Sequence, residues 1–160
     1  MTFSTSYAYS ERYVLVLSHD EVVHLKCSMW SKMPGIYEDK FSNLRAGYTY
    51  MTGHPGKKLL FMGQDFGQVR EWSEERELDW YLLGTELNKK LQDYVRDLWH
   101  LYEKYPALYA TDYDSNGFEW INADDASRSI YSFVRKSKDG KDNLLFVLNM
   151  AAMAVAVASY

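Results

Sequence analysis

Four ionisable side chains crowd one short stretch, His19, Asp20, Glu21 and His24 of "YVLVLSHDEVVH", directly after an apolar run. A glutamate between two histidines invites comparison with the zinc-hydrolase pattern, in which the histidines lie four positions apart. Here the step is five. On a helix that step turns the second side chain about 140° from the first, so His19 and His24 do not converge on one metal. The adjacent carboxylates Asp20 and Glu21 raise glycosidic chemistry instead, where two carboxyl groups face each other across the scissile bond, about 5 to 5.5 Å apart for retention. Neighbours in an extended chain point to opposite faces, so at most one of these two looks into a pocket. Asp20 has two readings at this point: the N-cap of a turn, accepting orphan backbone N–H groups, or a rim carboxylate at the C-terminal end of a strand.

A second apolar run ends in "FMGQDFGQ", which places Asp65 much as Asp20 is placed. If the two strands are parallel neighbours, both carboxylates emerge on one rim. Trp72 and Trp80, in the segment that follows, are candidates to stack on a flat ligand face or simply to pack. Other chemistries lack their context. Ser18 precedes His19 without the glycine-framed turn of a nucleophilic serine, and nothing near Cys27 activates a thiolate. "HPGKKLL" lacks the spaced glycines of a phosphate loop. Met29, Met33, Met51 and Met62 are scattered, as gap-filling core residues are.

The elements that must position these residues can be read from periodicity. "YVLVL", from Tyr13 to Leu17, is apolar throughout and reads as a strand buried on both faces. Phe41, Leu44, Tyr48 and Met51 recur at helical spacing, and Gly53 and Pro55 are expected to end that helix, with Gly53 as its permissive last residue. "KKLLFMG" gives a second strand. Leu87, Leu91, Tyr94, Leu98, Leu101 and Tyr105 then line one side of a helix over 86–105, closed by Pro106. This is an α/β arrangement of two βα units. The last third differs: "GFEWIN", "SRSIYSFVRK" and "NLLFVLNM" read as an antiparallel meander, with Asp139-Gly140 as a hairpin signal. A boundary is expected near residues 109–114, dividing 1–109 from 110–160.

Composition narrows the function classes. The 160 residues are 47% hydrophobic and carry a net charge of −4, with no Lys/Arg cluster, which speaks against a nucleic-acid partner. Residues 144–158 form the longest apolar stretch, but Asn149 interrupts it and it falls short of the roughly 18 to 20 residues that span a bilayer, so no membrane role is expected. One cysteine and an N-terminus without a signal-peptide pattern point to the cytoplasm.

Four long segments carry a resemblance: "TFSTSYAYSERYVLVLSHDEVVH", "KMPGIYEDKFSNLRAGYTYMTGHPGKKLLFMGQDFGQVREWSEERELDWYLL", "VRDLWHLYEKYPALYATDYDSNGFEWINADDASRSIYSFVRK" and "VLNM". Together they resemble the bacterial glycogen branching enzymes of the α-amylase superfamily, in register from Thr2 to about Asn149. The resemblance implies the last two βα units of a (β/α)8 TIM barrel, followed by the first antiparallel strands of a β-sandwich domain. It implies cleavage of an α-1,4-glucan and transfer of the released chain to a 6-hydroxyl, through a covalent glycosyl-enzyme and without a cofactor. Asp20 matches the aspartate of the family's "SHDE" motif, a catalytic transition-state stabiliser. His19 matches the histidine that contacts the same sugar, and Asp65 falls at a contact position of the family; with Trp72, read above as a stacking candidate, these are the expected substrate-binding residues.

The departures from the pattern are specific. The family's nucleophile and acid/base lie on barrel strands upstream of any residue here, so the chain alone is expected to be inactive. The rival reading is a non-catalytic glucan-binding remnant that uses Trp72 and Trp80. Met1 aligns inside the family's continuous sequence, and "AAMAVAVASY" at 151–160 replaces its usual continuation, which reads as a truncated frame. Val16 stands where Pro is usual, Leu25 where Gly is usual, and Asp65 where Glu is usual. Two βα units without their neighbours are also expected to leave open strand edges and an apolar inner face, and so to aggregate or fold loosely.

Overall fold

A computed structural model of the chain describes residues 5, 6 and 8–151. The Ala/Val-rich tail singled out above therefore lies, from residue 152 on, outside the described residues. In chain order the elements are β1 (Val14–Leu17), α1 (Met29–Lys32), α2 (Tyr37–Gly53), β2 (Lys57–Leu60), α3 (Glu86–Lys104), β3 (Phe118–Asp125), β4 (Ile130–Arg135) and β5 (Leu144–Asn149), with short 3-10 turns between several of them.

β1 and β2 pair in parallel, Val14 opposite Lys57 through Leu17 opposite Leu60, with α2 as the crossover. Leu17 and Leu60 pack on the first core, where Phe41, Leu44 and Tyr48 of α2 meet Leu91, Val95 and Leu98 of α3. The strand expected to be buried on both faces is covered on one only. Val14 and Val16 remain 48% and 50% exposed. Their run is apolar on both sides, but the helices supply one layer, and among the described residues the sheet has two strands and no second layer.

The expected face of α3 packs as read, Leu87, Leu91, Tyr94 and Leu98 on the first core and Leu101 and Tyr105 on the second, but the buried stripe is wider. Asn88 and Val95 are fully buried beside Leu91 and Leu98. Asn88 is tolerated there because its amide donates to the carbonyls of Phe66 (2.8 Å) and Gly67 (3.2 Å), while its oxygen accepts from the Thr85 hydroxyl.

β3, β4 and β5 form the antiparallel meander in that order. The turn at Asp139-Gly140 is longer than a two-residue hairpin: β4 ends at Arg135 and β5 starts at Leu144, with Gly140 left-handed at φ +70°. The sheet rests on the C-terminal ends of α2 and α3, where Leu108, Phe133, Phe146 and Leu148 pack with Tyr50, Leu101, Tyr102 and Tyr105. Gly53 is the last residue of α2, as expected, and it also makes that approach possible. His54 caps α2 in extended conformation, its N–H bonded to the Tyr50 carbonyl. A Cβ on Gly53 would lie 2.8 Å from the rings of both Phe133 and Phe146, so the glycine serves close packing.

An ionic anchor completes the junction. Arg135 is wholly buried and donates to Asp112 Oδ1 (2.9 Å) and to the carbonyls of Gly53 (3.1 Å) and Gly117 (3.3 Å). Asp112 Oδ2 accepts from Lys57 Nζ at the start of β2 (3.0 Å). Both charges are thus paired and hydrogen-bonded, the condition under which burial is tolerable.

Candidate functional site

Because β1 and β2 are parallel, the segments leaving their C-terminal ends share one rim. Each opens into a single 3-10 turn, His19–Glu21 after β1 and Gln64–Phe66 after β2. The residues at 19–21 are therefore not extended, and Asp20 and Glu21 do not alternate across a strand as expected, since side chains on such a turn are spread by about 120°. They still part company. Glu21 turns to Lys32, whose Nζ lies 3.4 Å from its Oε2 and also donates to its carbonyl. Asp20 stays exposed, 3.0 Å from His19 Nε2, and accepts from the Ser18 hydroxyl at 3.4 Å. Ser18, not Asp20, occupies the N-cap position of the turn. An aspartate whose carboxylate meets a neighbouring histidine and a hydroxyl is presented outward, available to a ligand.

His19 stands at one end of an aromatic row. Its ring meets Phe61 edge-on at 6.1 Å, and Phe61 meets Trp72 edge-on at 5.2 Å. His19 and Trp72 line an open basin of ≈ 710 Å³ together with Val23, His24, Leu25 and Glu71. The structure therefore brings His19 and Trp72 to one basin, with Asp20 beside His19 on its rim but not among the lining residues. Asp65 sits on the same rim but does not line this basin; it lies half-buried beside Tyr48. Tyr48, whose hydroxyl donates to the Gln64 carbonyl (2.9 Å), is pushed well above the usual phenol range, first by burial and then by the Asp65 charge. It stays protonated and fixes the turn that carries Asp65. Trp80 is 52% exposed and tilted against Phe66 at 5.4 Å.

Two supports were not visible in the sequence. Asp79 is buried and takes a bidentate hydrogen bond from Arg70, Nε lying 2.9 Å from each oxygen, while its N–H donates to Gln68 Oε1. This staples the segment that carries Trp72. Arg70 first of all, through that hydrogen bond, holds the Asp79 carboxyl below its ordinary range. Glu71 bridges to the turn after the "SHDE" motif, accepting the backbone N–H of Leu25 (2.7 Å) and of Cys27 (3.2 Å). Charged residues in a loop give no periodic signal, so only their partners reveal them, nine positions apart for Arg70 and Asp79 and 44 and 46 positions away for Glu71.

Among the described residues no cluster of three or more His, Cys, Asp or Glu could hold a metal, and no helix is long and apolar enough to cross a membrane. The profile of the α-amylase C-terminal all-beta domain matches residues 120–157, which contain most of the meander. Over 153 residues the chain is 68% identical to the 1,4-alpha-glucan branching enzyme of Butyrivibrio fibrisolvens, covering 96% of this chain and 24% of that protein. This chain belongs to the branching-enzyme family. It is also 54% identical over 149 residues to the 1,4-alpha-glucan branching enzyme of Halothermothrix orenii, and 50% identical over 154 residues to that of Bacillus caldolyticus, covering 93% and 96% of this chain and 24% and 23% of those proteins. It thus spans about a quarter of the length of the branching enzymes it matches.

Proposed function

We propose that this chain supplies the Asp20 and His19 half of a glycogen-branching site, in which an α-1,4-glucan is cleaved and the freed chain is passed to a 6-hydroxyl. The observation that carries this is the placement of the "SHDE" turn. It follows a parallel strand, presents Asp20 outward against His19, and borders the basin of Trp72, in a segment 68% identical to a branching enzyme. β1, α2, β2 and α3 are then the last two βα units of a (β/α)8 barrel, within 1–109, and residues 110–160 begin the C-terminal β domain. Active sites of such barrels lie at the C-terminal ends of the strands, where both turns lie here.

In that setting the Asp20 carboxylate faces the sugar at the scissile bond and stabilises the positive charge that develops on its ring, while His19 donates a hydrogen bond to the same sugar. Trp72 offers a flat face to a neighbouring unit, and Asp65 is the second rim carboxylate. The nucleophile and the acid/base come from the remaining length of the enzyme, so this segment alone is inactive. The setting is the cytoplasm, with glucan as the partner and no cofactor.

The test is Asp20→Asn in a full-length branching enzyme carrying this segment. A fall in kcat of about two to three orders of magnitude is expected, as for loss of one electrostatic stabiliser. A normal rate would overturn the assignment, and glycogen retention by the isolated chain would then leave the binding-remnant reading in its place.

A further inference from the structure

We propose that Glu71 is a positioning residue for the Asp20–His19 pair, acting as a clamp on the turn that follows it; this rests on the reading of Asp20 given above. The turn is costly to hold. His24, Leu25 and Cys27 have φ of +56°, +68° and +64°, left-handed backbone that side chains other than glycine disfavour. Leu25 is almost fully exposed, so its own packing does not compensate. The two oxygens of Glu71 do, one on the Leu25 N–H and one on the Cys27 N–H. Carboxylate acceptors make stronger bonds than neutral ones, which suits a two-pronged hold on an unfavourable backbone.

The clamp reaches Asp20 through Lys26. That residue lies between the two clamped amides, and its Nζ donates to the Asp20 carbonyl at 2.7 Å. Next to Glu71, the Trp72 N–H donates to the Val22 carbonyl at 3.1 Å, which zips the same two segments together. One side of the basin is thereby tied to the other: Glu71 and Trp72 on the β2 side, residues 22–27 on the β1 side. A loosened turn would let the Asp20 carboxylate drift from the position where ring charge develops, and a displacement of about 1 Å is enough to cost up to about a hundredfold in rate.

The experiment uses a full-length branching enzyme carrying this segment. Glu71→Ala is expected to lower kcat about ten- to a hundredfold with KM changed less than about threefold, because the lost positioning matters in the transition state. Leu25→Gly added to Glu71→Ala is expected to restore much of kcat, since glycine takes left-handed φ without the clamp. Amide hydrogen exchange at Leu25 and Cys27 is expected to speed at least about tenfold in Glu71→Ala. An unchanged kcat, a loss that Leu25→Gly does not relieve, or unchanged exchange would overturn the proposal. Asp20→Asn run alongside separates the two readings. If it leaves the rate intact, the role of Asp20 fails, while the exchange measurement still decides the clamp.

Discussion

The parallel pair β1–β2 and the antiparallel meander β3–β4–β5 both lay one face on α2 and α3 and leave the other bare, with Val14, Val16 and Leu59 exposed on the first and Leu145, Val147 and Ile121 on the second. They are fastened differently. The parallel pair packs through apolar contacts, with Lys57 at the start of β2 reaching Asp112, and carries its chemistry on turns beyond its strand ends. The meander is held by ring stacking, with Phe133 and Phe146 parallel at 5.0 Å, and by the wholly buried Arg135. Packing alone tolerates change of shape; a buried, fully committed charge does not. The meander side is therefore the rigid reference, and the rim turns are the adjustable part.

The largest expected effect tests that contrast directly. Arg135→Met should cost about 3–5 kcal/mol in urea unfolding followed by tryptophan fluorescence, because Asp112 is left buried with less compensation. Replacing Asp112 by Asn as well should recover part of the loss. A cost below about 1 kcal/mol would show that the rings, and not the ion pair, fasten the meander.

Acid should weaken the same junction by a smaller amount. Burial first, then the Lys58 and Arg135 charges, lowers His54 from its ordinary 6.5 to about 4. Burial likewise brings Lys58 down to about 7, against the opposing pull of Asp112. In each case the unfolded chain binds more protons, so stability rises with pH, across about 4 to 6.5 for His54 and upward from about 7 for Lys58. The His54 part amounts to roughly 3 kcal/mol at most. Comparing unfolding at pH 6.5 with unfolding near pH 4, His54→Gln should flatten the slope; an equal slope in both proteins would mean that His54 does not set it.

The smallest effect belongs to the bare face of the parallel pair. Val16→Thr should change stability by no more than about 0.5 kcal/mol, since half of that side chain is already in water, yet it should reduce self-association in light scattering. A large loss of stability would instead indicate that Val16 is covered in solution.

Much of this arrangement was legible in the residues. The two apolar runs became parallel strands, the 3.6-residue periodicities became α2 and α3, and the meander followed from its alternating runs. Burial on the second face of β1 was not legible, because an apolar side chain states a preference and not the presence of a partner. Asn88 was not among the residues read as the face of α3, since periodicity counts a polar residue against the core and cannot see the two carbonyls that satisfy it. Gly53 was legible as the end of α2 but not as a contact point, since its neighbours Phe133 and Phe146 are remote in sequence. Within the candidate site the "SHDE" turn could be singled out, while Glu71 became visible only through its long-range hydrogen bonds and the Arg70–Asp79 pair only through its contact within the loop. Leu25, noted as a departure from a usual glycine, proves to occupy a left-handed position.

The reach of Arg135 also bears on the order of assembly. Its three partners lie 18, 23 and 82 positions away along the chain. Closing such spans costs chain entropy before any contact repays it, whereas the turns of α2 and α3 close locally. The helices can therefore form early, but the meander locks only when residues 53, 112, 117 and 135 have all arrived, making that lock a late event in folding.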